Sequence, residues 1–166
     1  MFFLDGSYNC AIDDRGRVRI PARLLDALGE GNNESFYVNR GLGAHNMLRL
    51  FPKPMWDAEV RKIRKNMNPY KQDEVEAARF FFNGAEEVEV DKVDRIRLPK
   101  MLLDWIDVHG KDQLVINTFL EFIEIWKADD YQKFINQQKH EGEQRIDQEV
   151  LARLVKETDD AKDETN

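Results

Sequence analysis

The chain of 166 residues lacks a second cysteine, a long apolar run and any pattern of metal-ligand spacing. Its one cysteine, Cys10, cannot form an internal disulfide. No segment approaches the roughly 18 apolar residues of a membrane-spanning helix, and the N-terminus lacks the features of a secretion signal. The three histidines are scattered, so we expect no metal and no cofactor. These absences predict a cytoplasmic globular protein without a membrane partner.

Catalytic patterns are missing as well. The sequence contains no nucleophile–base pair and no phosphate-binding glycine loop, so we expect no enzyme and assign no catalytic residue.

The chain has fewer basic than acidic residues, but most of the difference is in its C-terminal segment. The net charge is −7, and residues 140–166 supply −5 of it, with nine acidic against four basic residues. Four arginines lie between positions 15 and 23, and Arg61 to Lys65 form a second basic cluster. An acidic total therefore does not exclude a basic face.

The chain contains an internal repeat at an offset of 78 residues. The segment from Asp13 to Pro21 returns as Asp91 to Pro99, and seven of the sixteen positions from 13 to 28 are identical. Chance rarely produces this in one chain, so the protein is a tandem of two similar units.

Each unit predicts the same succession of elements. Arg17 to Ile20 and Arg95 to Leu98 alternate polar and apolar residues, as a short strand does. An upstream strand closes a hairpin through the turn at Asp13 or Asp91, where Gly16 is free to adopt a positive φ. A helix starting at a proline and two further strands follow, then another helix. The predicted layout is β–turn–β–α–β–β–α, given twice, with a helix from 70 to 82 between the units. Ile146, Val150 and Leu154 mark a weak amphipathic helix in the tail.

Several of these residues resemble the MraZ family of bacterial transcriptional regulators over about residues 1–140: Met1-Phe2, Gly6, the Asp13-x-x-Gly-Arg17 turn, Ile20-Pro21, and Trp56 after Leu50-Phe51-Pro52. The Asp-x-x-x-Arg motif of that family occurs twice, as Asp13…Arg17 and Asp91…Arg95. The second copy has Asp94 in place of the usual glycine and Val93 where the first has Arg15.

The resemblance implies an α+β fold in which two tandem AbrB-like swapped-hairpin units form a pseudo-two-fold small β-barrel with flanking helices. We accordingly expect a first unit at 1–52, a helical connector at 53–83, a second unit at 84–127, C-terminal helices at 128–156 and a disordered acidic tail at 157–166. It also implies a ring-shaped homo-oligomer associated with the nucleoid. Such rings bind repeated double-stranded DNA sites upstream of the division and cell-wall gene cluster, including the family member's own gene.

The arginine-rich strands are the candidate DNA-binding residues. Arginine pairs in two contacts with phosphate or guanine, and a β-ribbon can lie against a duplex. We assign DNA contact to six cations: Arg15, Arg17, Arg19, Lys92, Arg95 and Arg97. Asp13, Gly16 and Asp91 are assigned a structural role in the turns. The plainer interpretation is that Arg17 only pairs with Asp13 to hold a hairpin.

Other interpretations stay open. The chain could be an AbrB-like antitoxin whose acidic tail binds a toxin, or a purely structural ring that does not bind DNA. The cluster from Arg61 to Lys65 is a solvated face, a subunit contact or an auxiliary phosphate contact. Phe80, Phe81 and Phe82 cannot all point the same way on a helix, so we expect at least one to pack across an interface, which fits an oligomer, or into a crowded core.

Overall fold

The computed structural model describes residues 6–42, 45–119, 122–140 and 148–155. They divide into two compact units, residues 1–131 and 132–166. Eight strands and six helices are found among the described residues: β1 (Ser7–Ala11), β2 (Arg17–Arg19), α1 (Ala22–Leu28), β3 (Ser35–Arg40), β4 (Leu48–Pro52), α2 (Lys53–Asn66), α3 (Gln72–Phe82), β5 (Glu86–Glu89), β6 (Arg95–Arg97), α4 (Lys100–Trp105), β7 (Gln113–Phe119), β8 (Phe122–Lys127), α5 (Ala128–His140) and α6 (Gln148–Val155).

This order follows the predicted layout, with α3 between the repeats and α6 after them. The mixed α+β fold with a mostly antiparallel sheet is therefore confirmed. The acidic tail expected at 157–166, and Ile146 of the predicted amphipathic helix, lie outside the described residues.

The strands of the two repeats are interleaved about a pseudo-two-fold axis. The large sheet has the order β1-β7-β8-β4-β3-β5. Replacing each strand by its equivalent in the other repeat (β1 by β5, β3 by β7 and β4 by β8) gives the same order counted from the opposite edge. The small sheet pairs β2 with β6. Two pairs of equivalent residues face each other across the axis: Val18 opposite Ile96, and Arg49 opposite Glu124. Of the six strand pairs in the described residues, only β3–β4 and β7–β8 lie within one repeat.

The small β-barrel implied by the resemblance is not confirmed. The six-stranded sheet is open, with β1 and β5 at its edges. The predicted hairpins are also reduced to their turns: the Asp13 N–H donates to the Arg17 carbonyl at 3.0 Å, and a single bridge joins Ile12 to Val18. Beyond that bridge β1 gives its hydrogen bonds to β7, and three-residue β2 is too short to extend the ladder.

One apolar core lies between the small sheet and the centre of the large one. Val18 and Ile96 contribute the inner face of the β2–β6 ribbon, and each is 1% exposed. Leu48, Leu50 and Ile125 contribute the inner face of β4–β8 and are fully buried. Because both strand pairs lie on the pseudo-two-fold axis and both face this core, their outer faces point in opposite directions.

Helices α2 and α3 cover the outer face of the large sheet with aromatic side chains. Trp56 stacks on Tyr37 and Phe81, with ring centroids 5.1 and 5.5 Å apart. Phe81 is buried, whereas Phe80 and Phe82 remain 49% and 39% exposed. The expectation that one of the three phenylalanines packs across an interface stays a prediction.

The two turns that precede the ribbon share one backbone geometry. Gly16 has φ +76°, and Asp94, its equivalent, has φ +64°. Aspartate is among the few residues that adopt this left-handed region at modest cost. Each turn is also bonded to the opposite repeat, because the Leu98 N–H donates to the Gly16 carbonyl and the Ile20 N–H donates to the Asp94 carbonyl, both at 2.8 Å.

Replacing Gly16 with alanine tests the close approach at this turn. A Cβ there would lie 3.2 Å from the Leu98 carbonyl oxygen and 3.3 Å from Leu103 Cδ1. We expect Gly16→Ala to lower the free energy of unfolding by about 2 kcal/mol, because strain at positive φ adds to this crowding. Gly110, with φ +59° and no atom within 4 Å of its ideal Cβ, is the control.

Urea unfolding followed by circular dichroism measures both variants. Gly110→Ala is expected to cost only the positive-φ strain, about 1 kcal/mol. Equal losses in the two variants would contradict the crowding at Gly16.

Candidate nucleic-acid interface

The outer face of the β2–β6 ribbon carries four arginines. The antiparallel register sets Arg17 opposite Arg97 and Arg19 opposite Arg95. Because side chains alternate along each strand, Val18 and Ile96 point into the core and the four arginine side chains lie on the opposite, outer face of the ribbon. Arg19 and Arg97 are exposed, and Arg17 and Arg95 are half-buried. We call this surface the arginine ribbon.

Repulsion among the four arginines of the ribbon lowers the stability of the folded chain when no anion is bound. Like charges directly opposite each other on an antiparallel pair destabilise it. Packing does not require them, because the apolar residues on the inner face already fill the core. Along one strand, alternate residues are roughly 6.6 Å apart, about two base-pair steps of a duplex. The spacing and the excess charge both suit a polyanion.

The carboxylate of Asp13 organises the first turn, residues 13–16. Its Oδ1 accepts the backbone N–H groups of Arg15 and Arg17, both at 2.9 Å, and its Oδ2 accepts Nε of Arg17 at 2.7 Å. The backbone hydrogen bond from Arg17 is the main reason that the pKa of Asp13 lies below its ordinary value. One carboxylate therefore shapes the turn and fixes the direction of an arginine.

Asp91 repeats this arrangement in the second turn, residues 91–94. Its Oδ1 accepts the N–H groups of Val93 and Arg95, and its Oδ2 accepts Nε of Arg95, all at 2.9 Å. The Arg95 backbone donor is again the main cause of the lowered pKa of Asp91. Within the described part of the chain, the guanidinium groups of Arg17 and Arg95 donate through Nε, and both terminal nitrogens of each have no partner.

The turns lie at opposite ends of the arginine ribbon, because β2 and β6 run antiparallel. Exposed Arg15 extends the cationic surface at one end and exposed Lys92 at the other. The structure thus brings all six sequence-predicted cations to one ribbon and its two turns. At the position equivalent to Arg15, the second turn presents Val93, which is 44% exposed.

One contact at this surface was not predicted from the sequence. Arg19 Nε donates to the carbonyl of Val93 at 3.1 Å, so the last residue of β2 holds the tip of the second turn. The two residues are 74 positions apart, and no local pattern signals the bond. It occupies Nε of Arg19, as the turn carboxylates occupy Nε of Arg17 and Arg95.

No metal centre or membrane-crossing segment is found in the part of the chain that is described. Among those residues, no group of three or more His, Cys, Asp or Glu side chains is arranged to hold a metal ion. None of the described helices combines the length and the apolar character needed to cross a bilayer. The basic cluster from Arg61 to Lys65 lies on α2, away from the arginine ribbon.

Comparisons with known proteins identify relatives over most of the chain. The family model described as "MraZ protein, putative antitoxin-like" matches residues 3–79 and again residues 81–154. A Transcriptional regulator MraZ from Desulforamulus reducens is 34% identical over 139 residues, covering 84% of this chain and 92% of the relative. Proteins of the same name from Clostridium tetani and Cytophaga hutchinsonii are 30% and 31% identical. These two matches cover 92% and 95% of this chain, and 96% and 100% of the relatives.

Removing the Asp13 carboxylate tests its hold on the first turn. We expect Asp13→Ala to lower the melting temperature at pH 7, since two backbone N–H groups and a guanidinium lose their acceptor. Asp14→Ala, which removes an exposed carboxylate from the same turn, is the matched control.

The pH dependence gives a second check. Because the folded-state pKa of Asp13 is lowered, its contribution is complete above the unfolded pKa of about 4 and is lost as pH falls through the folded value. The gap in melting temperature between wild type and Asp13→Ala should therefore narrow below about pH 4. A gap that stayed constant down to pH 2 would argue against this carboxylate.

Proposed function

The chain belongs to the MraZ family, and from that membership we propose that it is a sequence-specific DNA-binding transcriptional regulator whose arginine ribbon contacts the duplex. The observation that carries this proposal is the cross-repeat register, with Arg17 opposite Arg97 and Arg19 opposite Arg95 on one exposed face. The relatives are themselves named transcriptional regulators. That naming favours a binding protein over an enzyme.

Pre-orientation supports a leading role for Arg17. Its Nε is held by Asp13 while its terminal nitrogens stay open, so less side-chain freedom is lost when a phosphate or guanine edge binds. Arg95 shares this arrangement through Asp91. We assign DNA contact first to Arg17 and Arg15, then to Arg95 and Arg19, and last to Arg97 and Lys92.

A single chain offers about six cationic contacts, which is few for tight and specific binding at physiological salt. We propose that the protein compensates by forming a ring-shaped homo-oligomer, so that several copies engage repeated DNA sites at once. The proposed sites lie upstream of the division and cell-wall gene cluster that includes its own gene. This activity would place the protein at the nucleoid in the cytoplasm.

We further propose that the two repeats are AbrB-like swapped-hairpin units fused in one chain. The support is that β1, β2 and β3 pair with β7, β6 and β5 of the other repeat. Antitoxins of the AbrB-like group usually gain their second unit by dimerising, whereas here it is covalently joined. For that reason we prefer the regulator to an antitoxin whose acidic tail binds a toxin.

Truncating Arg17 tests the proposed contact. With a duplex from upstream of the chain's own gene, we expect Arg17→Ala to raise the dissociation constant at least tenfold, because a pre-oriented guanidinium is lost. The slope of log affinity against log salt should become less steep by about 1. Fluorescence anisotropy measures both quantities.

Arg23→Ala is the matched control, because it removes an exposed arginine of α1 without touching the arginine ribbon. Its affinity should stay within about twofold of the wild type. Thermal melts of both variants check the fold. Undiminished binding by folded Arg17→Ala would refute the assignment.

The unequal turns make a separate prediction. If the first turn binds more strongly because it presents Arg15, then Val93→Arg should strengthen binding by adding the missing cation at the equivalent position. Arg15→Val should weaken it by a similar factor, on the order of tenfold for one charged contact. Anisotropy titrations at two salt concentrations would detect both, and no change in either variant would exclude the turn tips from the interface.

A further inference from the structure

The basic end of α2 is not used by the proposed DNA contact. We define it as Arg61, Arg64 and Lys65, which are exposed in the last six residues of the helix. Among the described residues, none of the three has an ion-pair partner. Neighbouring Lys62 differs, because it binds Glu59 at 2.8 Å. Three unpaired cations within five residues form a surface that an acidic partner would stabilise.

This surface lies on the side of the core opposite the arginine ribbon. Trp56 of α2 packs on Tyr37 and Phe51, which belong to the outer face of the large sheet. The arginine ribbon is the outer face of the small sheet, across the core. A sheet-on-sheet core and a helix layer are each about 10 Å thick, so roughly 20 Å of protein separates the two cationic surfaces. An unbent duplex on the ribbon does not reach the basic end of α2.

Acidic side chains outnumber basic ones in a cleft along the free edge of β5. A cleft of about 860 Å³ lies between β5, the first turn and the start of α4, with an apolar floor that includes Val88 and Leu98. Six acidic side chains line it against three cations, Arg15, Arg97 and Lys100. Asp14, Glu86 and Glu89 stand exposed at this cleft, and no ion-pair partner is found for them in the described ranges. We call it the β5 cleft.

Both surfaces break the pseudo-two-fold symmetry of the fold. At the positions equivalent to Glu86 and Glu89, the first repeat has Tyr8 and Ala11. Helix α5, which follows β8 as α2 follows β4, has Asn-Gln-Gln-Lys-His at 136–140, where α2 has Arg-Lys-Ile-Arg-Lys. Each element forms in one repeat with few or none of the charges that it carries in the other, since α5 keeps only Lys139. The charges are therefore not needed to build these elements, and they have opposite signs on opposite repeats.

The two surfaces of one chain are separated along α2. Lys53, the first residue of α2, binds Glu87 of β5 at 3.0 Å, which fixes the N-terminal end of the helix beside this strand. Arg61 and Lys65 lie 8 and 12 residues further, about 12 and 18 Å along the helix axis. The basic end of α2 is therefore well separated from the Glu87 contact that holds the start of the helix at β5 of the same chain.

From this geometry we propose that the basic end of α2 binds the β5 cleft of a second copy of the chain. The two surfaces are different, so the contact is heterologous and runs head to tail, the type that closes into a ring when the rotation between copies permits. This inference specifies the interface of the ring in the proposed function. Arg15 and Arg97 of the proposed DNA contact also line the β5 cleft, so assembly is tested without DNA.

A charge-swap experiment on the full chain tests the interface. Sedimentation velocity without DNA reports the assembly of the wild type, of Arg61→Glu/Arg64→Glu/Lys65→Glu, of Glu86→Lys/Glu89→Lys and of the combined variant. We expect each one-sided reversal to raise the dissociation constant for assembly at least tenfold, with the combined variant restoring most of the loss. Glu86→Gln/Glu89→Gln provides a milder change at the β5 edge, expected to weaken assembly less than the lysine pair does.

Controls keep the outcomes separate. Arg23→Glu reverses an exposed cation of α1 and should leave assembly unchanged, and thermal melts check that each variant folds. A wild type that stays monomeric overturns the inference, as does unchanged assembly in folded one-sided variants. Loss in the α2 variant without rescue in the combined variant overturns it too, because the basic end then binds another surface. Anisotropy with a single-site duplex reports DNA binding separately, so failure of the DNA contact leaves the assembly result standing.

Discussion

The pairing of β2 with β6 across the pseudo-two-fold axis is the constraint on which the architecture depends. Each strand has only three residues and would be too short to persist alone. It persists because Val18 and Ile96 are anchored in the common core and because each turn accepts a backbone hydrogen bond from the opposite repeat. The ribbon is a product of both halves of the chain.

The same pairing concentrates charge. Two strands that each alternate arginine with an apolar residue present four arginines on one surface only when their registers match. A slip of one residue would set an arginine of one strand against an apolar residue of the other and disrupt the core. Fold and cationic surface are therefore specified together. The carboxylates of Asp13 and Asp91 link them locally, since each one shapes a turn and holds an arginine side chain in place.

Local signals in the sequence were sufficient for the elements and for the candidate surface. The succession of strands and helices was predicted from the alternation at Arg17–Ile20, from the prolines before α1 and α4, and from the duplication itself. The arginines in the same alternating segments indicated the cationic strands. The pairing of strands that are far apart in the chain could not be predicted from the sequence. The register between β1 and β7, and the bond from Arg19 to Val93, join residues far apart in the chain, where propensity carries no information. The small β-barrel came from the resemblance and is not confirmed, because the six-stranded sheet of the described residues is open.

Interleaving also bears on how the chain matures during synthesis. When the first 78 or so residues have left the ribosome, β1, β2 and β3 are complete in sequence, but their partner strands β7, β6 and β5 have not yet been made. At the usual rate of 5–20 residues per second, these edges wait several seconds for the second half. During that interval, the unpaired strands of one nascent chain are identical to those of the other chains being synthesised on the same messenger RNA. Fusing both repeats in one polypeptide supplies the correct partner at high local concentration and so limits exchange of halves between neighbouring nascent chains.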